Sequence, residues 1–310
     1  MKKRTNSNER YHVRAVERAL FILKAFLGNA AELSTGEIGK RIELDPSTTF
    51  RLLATLESHG FVKQDPETGK YRLGVQCLEL GSQFLKSNDV RDSSLKVMQP
   101  LRDQFGETVH LGVLDGDEIV YLEKVAGSHA IGLMSSRVGG RAPAHATAIG
   151  KVLLSNMLPE ELALRYARRK LARCTDATIT DWKELQKELA RVLENGYAID
   201  NQEHETGVKC VAAPIYGHRG VVAALSISGP VERIEDQIKK HGIIPVLKRA
   251  GEDISTEMGW GRGVDQIGKP VGVFIATNPK SKEPRNGDDG SPAHTLKARR
   301  NSALSSVSHK

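Results

Sequence analysis

DPSTTFRLLATLESHG, residues 45–60, decides how the N-terminal part of this chain folds. Asp45 can cap a helix, and Pro46 then stands at the first helical position, where a missing N–H costs nothing. Thr49, Leu52, Leu53 and Leu56 recur at helical spacing and supply a buried stripe, and Gly60 ends the helix. Ser47, Thr48 and Arg51 are left on the outward side near the helix start. Reading a DNA groove requires such a helix, with one face buried and the other carrying short polar and basic side chains. Arg51 can donate two hydrogen bonds to a guanine edge or clamp a phosphate, and Ser47 and Thr48 can reach phosphates or base edges. A capped surface helix with a solvated arginine has the same pattern, so the flanking sequence has to decide.

Upstream, apolar residues at Val13, Val16, Ala19, Leu20, Leu23, Phe26 and Leu27 mark an amphipathic helix that Gly28-Asn29 stops. Ser34, with Glu37 three residues on, has the capping-box pattern, opening a short helix to about Ile42. Ser34 and Thr35 at its start join the candidate DNA-facing set. Downstream, residues 61–64 and 70–73 are short strand segments around the turn Asp65-Pro66-Glu67-Thr68-Gly69. Three helices and a hairpin form a winged helix-turn-helix, in whose wing Lys63, Lys70 and Arg72 could lie along a DNA backbone or enter the minor groove. Winged helices also serve as protein-interaction modules, and the residues alone leave that reading open.

Residues 74–87 read as a connecting helix with Val75, Leu78 and Leu85 along one side. A mixed pattern follows. Helices are expected at 95–105, 147–157, 181–195 and 245–258, and strands at 110–114, 119–125, 130–138, 209–215 and 221–228, with 139–143 as a loop. That order suggests an α+β sensor domain with an antiparallel sheet. The expected organisation is thus a winged helix-turn-helix at 11–73, a linker helix at 74–88, an effector domain at 89–260 and a basic, disordered tail at 261–310. Within the tail, Val271 to Ile275 could pair with a sheet edge.

Charge follows the same division. Residues 1–73 carry 13 basic against 9 acidic side chains and residues 262–310 carry 9 against 4, whereas the middle carries 23 against 25. A basic head and tail favour a polyanionic partner through counterion release. No stretch is long and apolar enough for a membrane helix, and the basic start runs into polar residues rather than an apolar signal core. Cys77, Cys174 and Cys210 are far apart with no CxxC spacing, which points to a reducing cytoplasm rather than disulfides or structural zinc.

YHVRAVERALFILKAF (11–26), LSTGEIGKRIELDPSTTFRLLATLESHGFV (33–62) and YRLG (71–74) resemble the N-terminal domain of the IclR family of bacterial transcription regulators. The resemblance continues through ETVHLGVLDGDEIVYLEKV (107–125), RVGGRAPAHATAIGKVLLS (137–155), TDATIT (175–180), GYAIDNQEHETGVKCVAAPI (196–215) and VVAALSISGP (221–230). It departs at Thr49, where the family usually has an aliphatic, and at Phe50, where it has His or Tyr. The resemblance implies a GAF-like C-terminal domain that binds a small acidic metabolite, and a homodimer or homotetramer on a pseudo-palindromic double-stranded DNA operator. It leans toward regulators of sugar-acid catabolism, such as the ketodeoxygluconate type. The positions matching the family's ligand site are Ile131, Met134, Ala148, Ile149, Asp200, Cys210, Ser226 and Ser228. The residues are compatible with that role. Ser226 and Ser228 lie two apart on one strand and share a face, suiting a carboxylate or hydroxyl. The helix opening near Thr147 offers free amides to an anion. A polar sheet face without a ligand has the same serine pattern.

Other chemistry is weakly signalled. Asp200, Glu203, His204 and Glu205 form a cluster of metal-binding residue types, but loop carboxylates are usually just solvated, and no metal ligand is assigned. Cys210 in an apolar strand reads as packing rather than as a nucleophile, and Gly139-Gly140-Arg141 lacks the Lys-Ser/Thr ending of a phosphate loop. No cofactor and no catalytic residue is expected. The alternative is a metabolite-transforming enzyme that uses the C-terminal pocket, with the winged head as a docking module.

Overall fold

A computed structural model describes residues 13–27, 30–86, 89–128, 135–218 and 220–260. The head begins with α1 (Arg14–Lys24), α2 (Thr35–Arg41) and α3 (Pro46–Ser58), followed by β1 (Val62–Gln64) and β2 (Tyr71–Leu73). The capping box at α2 is reciprocal: Glu37 N donates to Ser34 Oγ at 3.3 Å, and Ser34 N donates to Glu37 Oε2 at 2.8 Å. At α3, Asp45 Oδ1 accepts from Thr48 N at 2.8 Å, and Pro46 occupies the first turn. Ile22, Phe26, Leu33, Ile38, Leu53, Leu56, Val62 and Tyr71 bury one another as the head's own core. The expected stripe holds, with Thr49 and Leu53 fully buried and Leu52 half-buried.

The connecting helix expected at 74–87 is α4 (Val75–Lys86). Its apolar side is not covered: Val75 and Leu78 are 62% and 68% exposed.

The larger domain is one antiparallel sheet between two helical layers. Its strands are β3 (Thr108–Asp115), β4 (Glu118–Val125), β5 (Arg141–Pro143), β6 (Ala198–Asn201), β7 (Val208–Gly217) and β8 (Gly220–Pro230), in the order β5-β4-β3-β8-β7-β6. Val109, Leu111, Leu225 and Ile227 face α5 (Asp89–Phe105), α9 (Val231–Lys240) and α10 (Ile243–Glu257). The alternate positions, Ala212 and Ala224 among them, face α6 (Ala148–Ser155), α7 (Pro159–Tyr166) and α8 (Trp182–Asn195). Ser226 and Ser228 follow Ala224 at the strand period, so both turn to the α6 side. Gly150 permits the close approach of α6 to the preceding turn, where an added Cβ would overlap the Ala144 carbonyl.

Several expectations fail in detail. The strand at 130–138 is not formed in its described part, since 135–138 are irregular and 129–134 lie outside the described residues. The supposed loop at 139–143 instead contributes β5, which pairs with β4 through Ala142 opposite Ile119. The segments α7, α9 and β6 were not anticipated, because short or charge-rich stretches such as VERIEDQIKK offer few apolar positions to a periodicity. The tail at 261–310, including Val271 to Ile275, lies outside the described residues.

Candidate functional site

Two surfaces carry chemistry. On the head, Ser47 and Arg51 are exposed on the outward side of α3, with Thr48 half-buried beside them. Ser47 Oγ donates to Asp45 Oδ1 at 2.7 Å, so the helix start is a fixed turn. That bond and the Thr48 amide and hydroxyl hold the Asp45 carboxyl well below its usual range. Val62 and Tyr71 turn into the core, so Lys63 and Arg72, paired across the hairpin, both turn outward. Gln64 N donates to Glu57 Oε1 at 2.8 Å, which fixes the wing against the end of α3. Lys70 is exposed at the base of the turn, and Ser34 and Thr35 are half-buried, with Ser34 engaged by Glu37. Sequence reasoning treated Phe50 only as a departure, yet it stands 55% exposed next to Arg51.

The second surface is a cavity of about 410 Å³ on the α6 side of the sheet. Ala148, Ile149, Asp200, Cys210, Ser226 and Ser228 all line it, brought together from α6, β6, β7 and β8. Ile131 and Met134 lie outside the described residues. Thr147 caps α6, accepting from Gly150 N at 3.1 Å. Ala148 and Ile149, in the first turn whose amides a helix leaves without intrahelical partners, line the cavity.

His110, Tyr121, Ser136, His204 and Glu205 also line the cavity and were not anticipated. For His110 a signal existed, since it alternates with the buried Val109 and Leu111 and so must face the other side of the sheet. Its Nε2 is 2.8 Å from Ser136 Oγ and its Nδ1 3.4 Å from Ser228 Oγ. Burial, with the Lys124 ammonium nearby, pushes His110 down to about 3, so the ring is neutral at physiological pH. Burial pushes the Asp200 carboxyl up to about 7, against the amides of Glu203 and His204.

The acidic cluster does not converge. Asp200 Oδ1 accepts from Glu203 N at 2.7 Å, Glu203 pairs with the Lys151 ammonium at 2.6 Å, and Glu205 accepts from Ser135 Oγ at 2.5 Å. Among the described residues, no group of three or more His, Cys, Asp or Glu could hold a metal. The Cys210 thiol is raised well above its usual range by burial and then by Asp200. A thiol held so far from ionisation, in a cavity where His110 is so weak a base, is a poor nucleophile.

Comparison with known proteins agrees with the two-part fold. A family profile described as "IclR helix-turn-helix domain" matches residues 15–66, and one described as "Bacterial transcriptional regulator IclR C-terminal" matches residues 82–256. The chain is 41% identical over 249 residues to the HTH-type transcriptional regulator XynR of Escherichia coli, covering 80% of this chain and 98% of that protein. It is 39% identical over 249 residues to the HTH-type transcriptional regulator KdgR of Dickeya chrysanthemi, covering 80% and 81%. Among solved structures, an IclR homologue from Microbacterium hydrocarbonoxydans complexed with 4-hydroxybenzoate superposes with a TM-score of 0.70 at 27% identity, covering 79% of this chain and 99% of that one. These profiles and relatives are regulators of transcription, not enzymes.

Proposed function

The chain belongs to the IclR family of bacterial transcription regulators, and we propose that a small organic acid, held in the cavity beside α6, sets its affinity for a pseudo-palindromic operator. The observation that carries the effector half of this reading is one juxtaposition. The N-terminal residues of α6, Thr147 to Ile149, line the same cavity as Ser226 and Ser228, and a helix N-terminus offers amides and the positive end of its dipole to an anion. An anion bound there meets donors on two sides. The 4-hydroxybenzoate in the Microbacterium homologue supports acids as the class. In the head, Ser47, Thr48 and Arg51 read the major groove while Ser34, Thr35, Lys63, Lys70 and Arg72 hold the backbone.

The functional unit is a homo-oligomer acting in the cytoplasm. Val16 and Leu20 on α1, and Val75, Leu78 and Leu80 on α4, expose apolar side chains that a second copy of the chain would cover. No helix among the described residues is long and apolar enough to cross a membrane. The α4 connection, joining head to effector domain, transmits the change. Effector alters operator affinity only through unequal affinity for the two head arrangements, typically by about 1–3 kcal/mol of coupling.

Two measurements test this reading. Arg51→Ala should weaken binding to genomic fragments selected by the wild-type protein by about 1–3 kcal/mol, roughly fivefold to 150-fold. Unchanged fluorescence anisotropy titrations across salt concentrations would remove α3 as the reading helix. In thermal denaturation, one of a panel of keto, sugar and aromatic acids should raise the midpoint with concentration, by about 2.7 kcal/mol of stability at a hundred times Kd. A flat response across all three classes rejects the acid effector.

A further inference from the structure

Resting on the reading of the cavity as an acid-effector site, we propose that the acid enters together with a proton. The carboxyl group of Asp200 is neutral in the bound state, and effector affinity falls as pH rises.

Asp200 is 2% exposed and lies on the cavity wall, where a bound acid would sit close to it. Two carboxylates at such range repel strongly, because the wall screens them less than water would. Among the described residues, no lysine or arginine forms an ion pair or hydrogen bond with Asp200. Arg141 is engaged by Asp115 and Glu118 at the rim, and Arg137 Nη2 donates to the Leu27 carbonyl at 3.1 Å. Lys151, packed behind β6, is committed to Glu203 at 2.6 Å and Glu188 at 3.1 Å.

The remaining titratable groups around Asp200 are also no substitute. Cys210 lies opposite it in the β6–β7 pairing, with its thiol proton retained. Tyr121 on β4 and Cys174 in the loop before α8 are both raised by burial and keep their protons. Burial holds His204 down, and Glu205 adds a second acidic side chain to the wall. Of the two wall carboxyls, Asp200 is the one that burial has already pushed up to about 7, so it takes the proton with least change. Once neutral, its hydroxyl donates to the incoming carboxylate, where the ionised form could only accept.

Isothermal calorimetry with pyruvate, gluconate and 4-hydroxybenzoate, each in phosphate and in Tris between pH 6 and 8.5, tests this directly. For an acid that binds, affinity should be level below pH 7 and fall by about thirtyfold between pH 6 and 8.5, with about one proton taken up per acid at pH 8. Asp200→Asn, neutral at every pH, should flatten the profile, and Glu205→Gln should leave it sloped. Buffer-independent heats and level affinity in the wild type overturn the proton linkage while leaving the effector reading intact. A slope that survives in Asp200→Asn overturns the assignment to Asp200. Failure of all three acids to bind at pH 6, where Asp200 is neutral, overturns the effector reading and this inference with it.

Discussion

Replacing Lys151 by methionine is expected to destabilise the effector domain by about 3–5 kcal/mol at pH 8, measured by urea denaturation. Lys151 is 1% exposed, and its Nζ lies 2.6 Å from Glu203, 3.1 Å from Glu188 and 2.5 Å from the Ile199 carbonyl. Methionine fills similar volume, so the effect isolates the lost charge rather than a cavity. What remains is the Glu203 carboxylate, 7% exposed, whose Oε2 already has no hydrogen-bond partner among the described residues. Burial pushes this carboxyl up even with the ammonium in contact. Without Lys151 it would rise further, and the deficit has a pH signature. A carboxyl whose folded value lies above its unfolded one contributes stability in acid that is lost as pH rises, so the variant should approach wild type near pH 5 and fall away above it. Adding Glu203→Gln should restore much of the loss at pH 8. A single variant that loses less than about 1 kcal/mol, with no pH dependence, would show that Lys151 is not the counterion of a buried charge. The lost bond to Ile199 also matters for function, because Asp200 is the next residue along β6.

The head was legible in the sequence to the level of single hydrogen bonds. Its caps and turn use side chains that act within a few residues of themselves, as Ser34 with Glu37 and Asp45 with Thr48 illustrate. The cavity was legible where strand alternation places residues, as for Ser226 and Ser228, but Asp200 and Cys210 entered through resemblance to a family. The alternation of His110 with Val109 and Leu111 signals which side of the sheet it faces, but its pairing with Ser226 across β3 and β8 depends on strand order, a long-range property that no local pattern encodes. The protonation behaviour of Asp200 was equally hidden. Nothing in AIDNQEHE distinguishes a solvated carboxylate from one buried against β7. The sequence places Val75, Leu78 and Leu85 on one side of α4, but periodicity reports which side is apolar, not what covers it.

Leu53→Ala is expected to abolish operator binding at 37 °C while leaving effector binding in place. Leu53 is fully buried on α3, among Ile22, Ile38, Leu56 and Val62 of the head's own core. Truncating a buried leucine costs about 2–5 kcal/mol. A domain as small as residues 15–66 has a marginal core, so a loss of that size is comparable to its whole stability. Calorimetry should then lack the head's unfolding transition, while the transition of the effector domain stays in place and still rises with any acid that binds. The contrast with its neighbour is diagnostic. Arg51 is exposed and is not among the residues of the head's core, so Arg51→Ala should weaken DNA binding with the head's transition unmoved. Leu53→Ala should lose both. If Leu53→Ala left operator affinity within a few-fold of wild type, α3 would not depend on this core for its position. If it removed the effector response as well, head and effector domain would unfold as one unit, and their separate cores would not amount to separate stabilities.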